Sequence, residues 1–197
     1  MKTLLTVFWP VLLVATGCAS HETYDILIKH GQILDGSGDQ PYAGDVGITG
    51  DRIVALGDLS DAVGTREINA SGLVVAPGFI DLHTHLDPIL KLPECESHIR
   101  QGVTTALGGP DGSSPWPFGA YLDTLQQIGV GMNVGYLIGH NTVRRNVMGL
   151  ENRAPTGEEL ERMKAQIAQG MQEGAFGIST GLKYLPGTFS EIDEVIA

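Results

Sequence analysis

Cysteine is almost absent from this sequence: two occur among 197 residues, Cys18 and Cys95. That excludes a disulfide framework as the source of stability, and the two are expected to have unrelated roles, Cys95 in packing. Cations are also scarce, with 12 Lys and Arg against 23 Asp and Glu and a formal net charge of −11. A surface of that sign repels a phosphate backbone, so nucleic acid is not an expected partner. Aromatic residues make up only 6%, yet hydrophobic residues reach 42%, enough to bury the core of a compact domain and to exclude a disordered chain. What is plentiful is glycine, at 27 residues, as expected where many short connections need unusual backbone angles.

Long apolar runs are missing after the N-terminus. The one that exists, Leu4 to Ala15 behind Lys2, is too short to span a bilayer and is interrupted by Pro10. Residues 1–17 read as a signal peptide. Ala15-Thr16-Gly17-Cys18 resembles a bacterial lipobox in which Cys18 is lipidated, with an alanine where that motif prefers leucine; ordinary cleavage leaving a free Cys18 is the alternative. The expectation is an exported protein, periplasmic or anchored to the outer membrane as a lipoprotein, with 18–23 as a lipidated linker and acyl chains as the membrane contact.

From residue 24 to 76 short strand patterns alternate with turn clusters, Asp35-Gly36-Ser37-Gly38 and the hairpin signal Gly50-Asp51 among them. They predict a small antiparallel sheet or sandwich. From residue 77 the rhythm changes to strands alternating with helices. Strands are expected at about 79–85, 103–107, 133–138 and 176–180, and helices at 94–101, 118–128, 157–173 and after Ser190. The third helix is the best marked, because Thr156 and Glu159 form a capping box ahead of Leu160, Met163, Ile167 and Met171 on one face. Repeated βα units imply a parallel sheet. Four of them are half of a (β/α)8 barrel, so the chain reads as part of a product about twice as long; a small open α/β sheet is the alternative.

The stretch with most chemistry is Pro77 to Asp87, PGFIDLHTHLD. On a strand, a period of two places Asp81, His83, His85 and Asp87 on one face, and two imidazoles at i, i+2 lie roughly 6.5–7 Å apart at Cα, close enough to share an ion. A solvated edge strand with incidental histidines is the alternative. In a barrel of this kind the working groups sit at the C-terminal strand ends and in the loops beyond. Those loops contribute Asp111 after the second strand, His140, Asn141 and Arg144 after the third, and Lys183 and Tyr184 after the fourth.

PGFIDLHTHLD resembles the first barrel strand of the amidohydrolase superfamily. The series QGVTT, GHNTVR and GAFGISTGLKYLPG is similar to the N-acyl-D-amino-acid deacylases, or D-aminoacylases, over most of residues 24–190. The resemblance implies an α/β fold, the first half of a metal-dependent (β/α)8 barrel preceded by a small β-sandwich segment. It implies one or two divalent ions, zinc foremost, held by His83 and His85. Counted from QGVTT, Asp111 stands where the family has a cysteine ligand, and a carboxylate can also bridge divalent ions. Lys183 is near the position of the carboxylated lysine of other amidohydrolases; a surface lysine is the alternative. His140, Arg144 and Tyr184 are candidates for holding the substrate, Arg144 through a carboxylate, with loop-stabilising roles as the alternative for His140 and Arg144.

The implied activity is metal-dependent hydrolysis of linear non-peptide amides, removing the acyl group from small N-acyl-D-amino acids. An isoaspartyl dipeptidase or a cyclic-amide hydrolase of dihydroorotase or hydantoinase type is one alternative, and a non-catalytic ligand-binding surface lipoprotein another. Catalysis also needs a general base. The resemblance places it on an aspartate after an eighth strand, with two more histidine ligands after the fifth and sixth, all beyond residue 197.

Overall fold

A computed structural model describes residues 21–197. The signal-peptide expectation and the lipidation site Cys18 lie outside the described residues. The chain divides into two compact units at Pro77/Gly78.

The first unit is one five-stranded sheet built from β1 (Thr23–Ile33), β2 (Tyr42–Thr49), β3 (Arg52–Gly57), β4 (Val63–Asn69) and β5 (Val74–Val75). The order is β3-β2-β1-β4, with β5 also on β1. Gly50 and Asp51 form the two-residue loop between Thr49 and Arg52, which face each other in the register. Gly50 takes a left-handed φ of 59°, which glycine adopts at no steric cost. The sheet is not purely antiparallel as expected from the strand patterns: β1 runs parallel to both β4 and β5. Short apolar runs cannot reveal this, since strand direction depends on the connection rather than on the alternation of side chains.

In the second unit all strand pairs are parallel. β6 (Phe79–Asp81), β7 (Val103–Gly108) and β8 (Asn133–Tyr136) form one sheet, and β9 (Ile138–Gly139) pairs in parallel with β10 (Ile178–Ser179). The expected third strand is thus split at Leu137. Its N–H still donates to Gly108 O, while the N–H of Ile138 donates to Gly177 O. One extended segment therefore passes the hydrogen bonding from β7 on one side to β10 on the other. Between the strands lie α1 (Glu96–Ile99), α2 (Phe118–Ile128), α3 (His140–Met148), α4 (Gly157–Gln172) and α5 (Ile192–Ile196). Helices and strands close over a core that includes Leu86, Ala106, Phe118, Leu125, Tyr136, Ile138, Val143 and Met163. Cys95 belongs to this core as a buried free thiol.

Helix α4 begins as its sequence requires. The Thr156 hydroxyl accepts the Glu159 N–H at 3.2 Å, and Glu159 Oε2 accepts the Thr156 N–H at 2.8 Å. Met163 and Gly170 face the core, whereas Met171, expected on that face, is exposed. Arg153 reaches both carboxylate oxygens of Glu159 at 2.7 and 2.8 Å. That guanidinium, followed by the Thr156 N–H, holds the Glu159 carboxyl down at about 2 against an ordinary 4.5. A depressed carboxyl stabilises the folded state fully above its unfolded value and ceases to do so as pH falls through its folded value. The unsubstituted protein is therefore expected to be more stable than Glu159→Gln at neutral pH. The gap should close between pH 4.5 and about 2, read from urea unfolding midpoints across that range; a pH-independent gap would refute the assignment.

Candidate metal centre

The turn after β6 is made by its own aspartate. Asp81 Oδ1 accepts the backbone N–H of His83 at 3.0 Å, a local bond that competes with strand continuation and that aspartate favours. The strand expected to reach residue 85 thus ends at Asp81. The segment nevertheless stays near the sheet, because the Thr84 N–H donates to Leu107 O at 3.2 Å and Leu86 is buried in the core. His83 and His85 are left facing solvent, with ring centroids 5.9 Å apart and planes inclined at 69°.

Asp111 approaches from the loop after β7. Its Oδ2 lies 3.3 Å from His83 Nε2 and 3.3 Å from His85 Nε2, and one donor atom from each of the three residues falls within 4.8 Å of the others. Tetrahedral zinc with bonds of about 2.0–2.2 Å separates neighbouring ligand atoms by roughly 3.4 Å. The two Asp111 distances match the spacing of ligands on a common ion, and they are also within the range of direct His–carboxylate contacts. Two imidazoles and a carboxylate are nitrogen and oxygen donors suited to a borderline divalent cation, and their exposure lets such an ion enter from water.

The remaining residues singled out from the sequence do not join these three. Lys183 and Tyr184 are exposed in the turn after β10, and Lys183 makes no hydrogen bond or ion pair among the described residues. His140 and Arg144 are corrected more sharply. The segment read as a loop is helix α3, and both side chains are buried, at 2% and 0% exposure. His140 Nε2 lies 2.8 Å from Glu194 Oε1, Arg144 pairs with Glu194 Oε2, and the other arm of Arg144 donates to the carbonyls of Glu151 and Arg153. A guanidinium buried to 0% exposure presents no open face to a substrate carboxylate. Instead it ties α3 to α5.

A cleft of about 290 Å³ opens beside His85, bordered among others by Asp87, Ser113, Ser114, Tyr121 and Tyr136. The two tyrosine hydroxyls are 3.3 Å apart. Burial, then the contact with Tyr121, pushes the Tyr136 hydroxyl far up, so it remains a protonated donor at any working pH. These tyrosines were not singled out from the sequence, where each sits in an ordinary helix or strand pattern.

The sequence model of the amidohydrolase family matches residues 66–194. A D-aminoacylase of Alcaligenes xylosoxydans xylosoxydans is 38% identical over 89% of this chain and 41% of its own length. An N-acyl-D-aspartate deacylase of the same organism is 38% identical over 87% of this chain and 39% of its own. The solved structure of an N-acyl-D-glutamate deacylase from Bordetella bronchiseptica, complexed with zinc and a phosphonate inhibitor that mimics the tetrahedral intermediate, superposes with a TM-score of 0.83 at 32% identity, covering 88% of this chain and 42% of that one. The chain spans about two fifths of the length of the relatives it matches.

Proposed function

The chain belongs to the amidohydrolase family, and from that premise we propose that it carries the first metal-binding strands of a hydrolase that deacylates N-acyl-D-amino acids. The observation that bears most weight is the meeting of His83, His85 and Asp111, with two 3.3 Å donor separations. In this reading they hold a divalent cation, zinc foremost, and Asp111 does the work of the cysteine expected from the resemblance. The parallel run of β6 to β10 is the first half of a (β/α)8 barrel, and the N-terminal sheet is part of a small sandwich. The barrel reading is supported by the exposed apolar residues on the outermost strands, Phe79 and Ile80 on β6 and Ile178 on β10. Export and a lipid anchor at Cys18 remain part of the proposal on the strength of the N-terminal sequence alone.

A cation at this site supplies Lewis acidity toward the scissile carbonyl and makes water a better nucleophile near neutral pH. The chain's own residues do the rest. Asp81 sets the turn that aims His83, and Asp111 neutralises part of the ionic charge. The cleft beside His85 offers one hydroxyl donor from the hydrogen-bonded Tyr136–Tyr121 pair for orienting a bound amide. It also presents Asp87 and, among the described residues, no Lys or Arg on its lining.

The test is hydrolysis of paired N-acetyl-D- and N-acetyl-L-amino acids by the whole protein, first stripped with a chelator and then reloaded with zinc. The expected result is release of acetate from D-isomers only, and only after reloading. Equal turnover of both isomers, or none by the reloaded protein, would overturn the reading.

A further inference from the structure

We propose that Ser179 is a positioning residue for the third ligand, its hydroxyl clasping both ends of the turn that presents Asp111. This rests on the reading of His83, His85 and Asp111 as a metal site.

The turn itself is unfavourable in isolation. Asp111 has a φ of 57°, between Gly109 at 74° and Gly112 at 77°. A left-handed aspartate is uncommon and holds only where its surroundings over-determine it. Ser179 provides that constraint from strand β10. Its Oγ donates to Gly109 O at 2.6 Å and accepts the Gly112 N–H at 3.1 Å. One oxygen thus closes the loop on both sides of Pro110 and Asp111. Only a hydroxyl does both, since it is donor and acceptor at one atom.

Ser179 is itself fixed, because it sits opposite Gly139 in the β9–β10 register. The loop is also braced from behind. The N–H of Thr142 donates to Gly112 O, and a Cβ at Gly181 would sit 1.9 Å from the Asp111 carbonyl oxygen. Backbone packing therefore blocks retreat of Asp111 toward Gly181, and the Ser179 hydroxyl holds the turn closed. With Oδ2 equidistant from two imidazole nitrogens, a displacement of a few tenths of an ångström unbalances both contacts.

The experiment compares the whole protein carrying Ser179→Ala, Ser179→Val, Ser179→Thr, Asp111→Ala and His83→Ala. Zinc affinity is measured by competition with a chromophoric chelator, coordination by the visible spectrum of the cobalt-loaded protein, and integrity by thermal melting of the metal-free forms. Threonine keeps the oxygen and valine has the same shape without it. Loss of the clasp is expected to weaken zinc by about 10- to 100-fold, the usual effect of removing a group that orients a ligand. The cobalt spectrum of Ser179→Val should approach that of Asp111→Ala, while Ser179→Thr stays near the unsubstituted protein. Unchanged zinc affinity in Ser179→Val overturns the proposal. So does weakened binding explained by a collapsed metal-free fold with an unaltered cobalt spectrum. If His83→Ala also retains zinc, the metal-site reading fails and takes the clasp with it, an outcome distinct from failure of the clasp alone.

Discussion

Replacing His83 and His85 together by alanine is expected to abolish stoichiometric zinc uptake and with it all amide hydrolysis. Asp111 Oδ2 makes its two ligand-like separations to these two rings. Among the described residues, removing both leaves one partly exposed carboxylate, which by itself has no selectivity for a borderline ion over water. The loss should exceed the roughly 10- to 100-fold expected for a group that merely orients a ligand. Metal analysis of the purified double variant decides the matter, and retained equimolar zinc would refute the site. Stability should change little, because both rings face solvent and surface substitutions away from packed features usually stay within about ±0.5 kcal/mol. That contrast between a large functional and a small structural effect separates a metal ligand from a core histidine.

The same site shows what could be read from residues alone. His83 and His85 were legible because a buried-strand pattern runs straight into two imidazoles. Asp111 was legible by its place after the next strand. The geometry that unites them was not: the expectation rested on a strand period of two, whereas the convergence arises in a turn set by Asp81. A carboxylate two residues before a backbone N–H can make either structure, and tertiary packing decides. Helix α3 left a signal that was missed, Val143 and Val147 at i, i+4 with Gly149 at its end. His140 and Arg144 were assigned to the substrate from their place after the third strand; their actual partner, Glu194, lies 54 and 50 residues away. Nothing in the local pattern of a short acidic helix announces that its carboxylate is buried. Strand direction in the N-terminal sheet was hidden for a similar reason, being a property of connections between segments.

Glu194 carries the second large expected effect, this time on folding. Its carboxylate is 2% exposed and meets Arg144 at 0% and His140 at 2%. The Nε of Arg144 and the Nδ1 of His140 already lack partners among the described residues. Glu194→Ala would strand a guanidinium in the interior with only the carbonyls of Glu151 and Arg153 for company. Breaking a buried pair from one side costs about 3–5 kcal/mol, because the remaining charge stays desolvated. Urea unfolding of Glu194→Ala should show a loss of that size, and a change under about 1 kcal/mol, the range of exposed pairs, would contradict the burial found here. Removing both charges is a different perturbation, since well-packed apolar replacements of a buried pair are often neutral or stabilising. The double substitution Arg144→Met with Glu194→Leu is therefore expected to recover much of the stability lost in Glu194→Ala. If it does, the pair serves to join α3 to α5 in one arrangement and contributes little net energy. If the double variant is as unstable as the single one, the hydrogen bonds that Glu194 accepts from His140 and Ser190 carry the stability instead, and His140 becomes the residue to replace next.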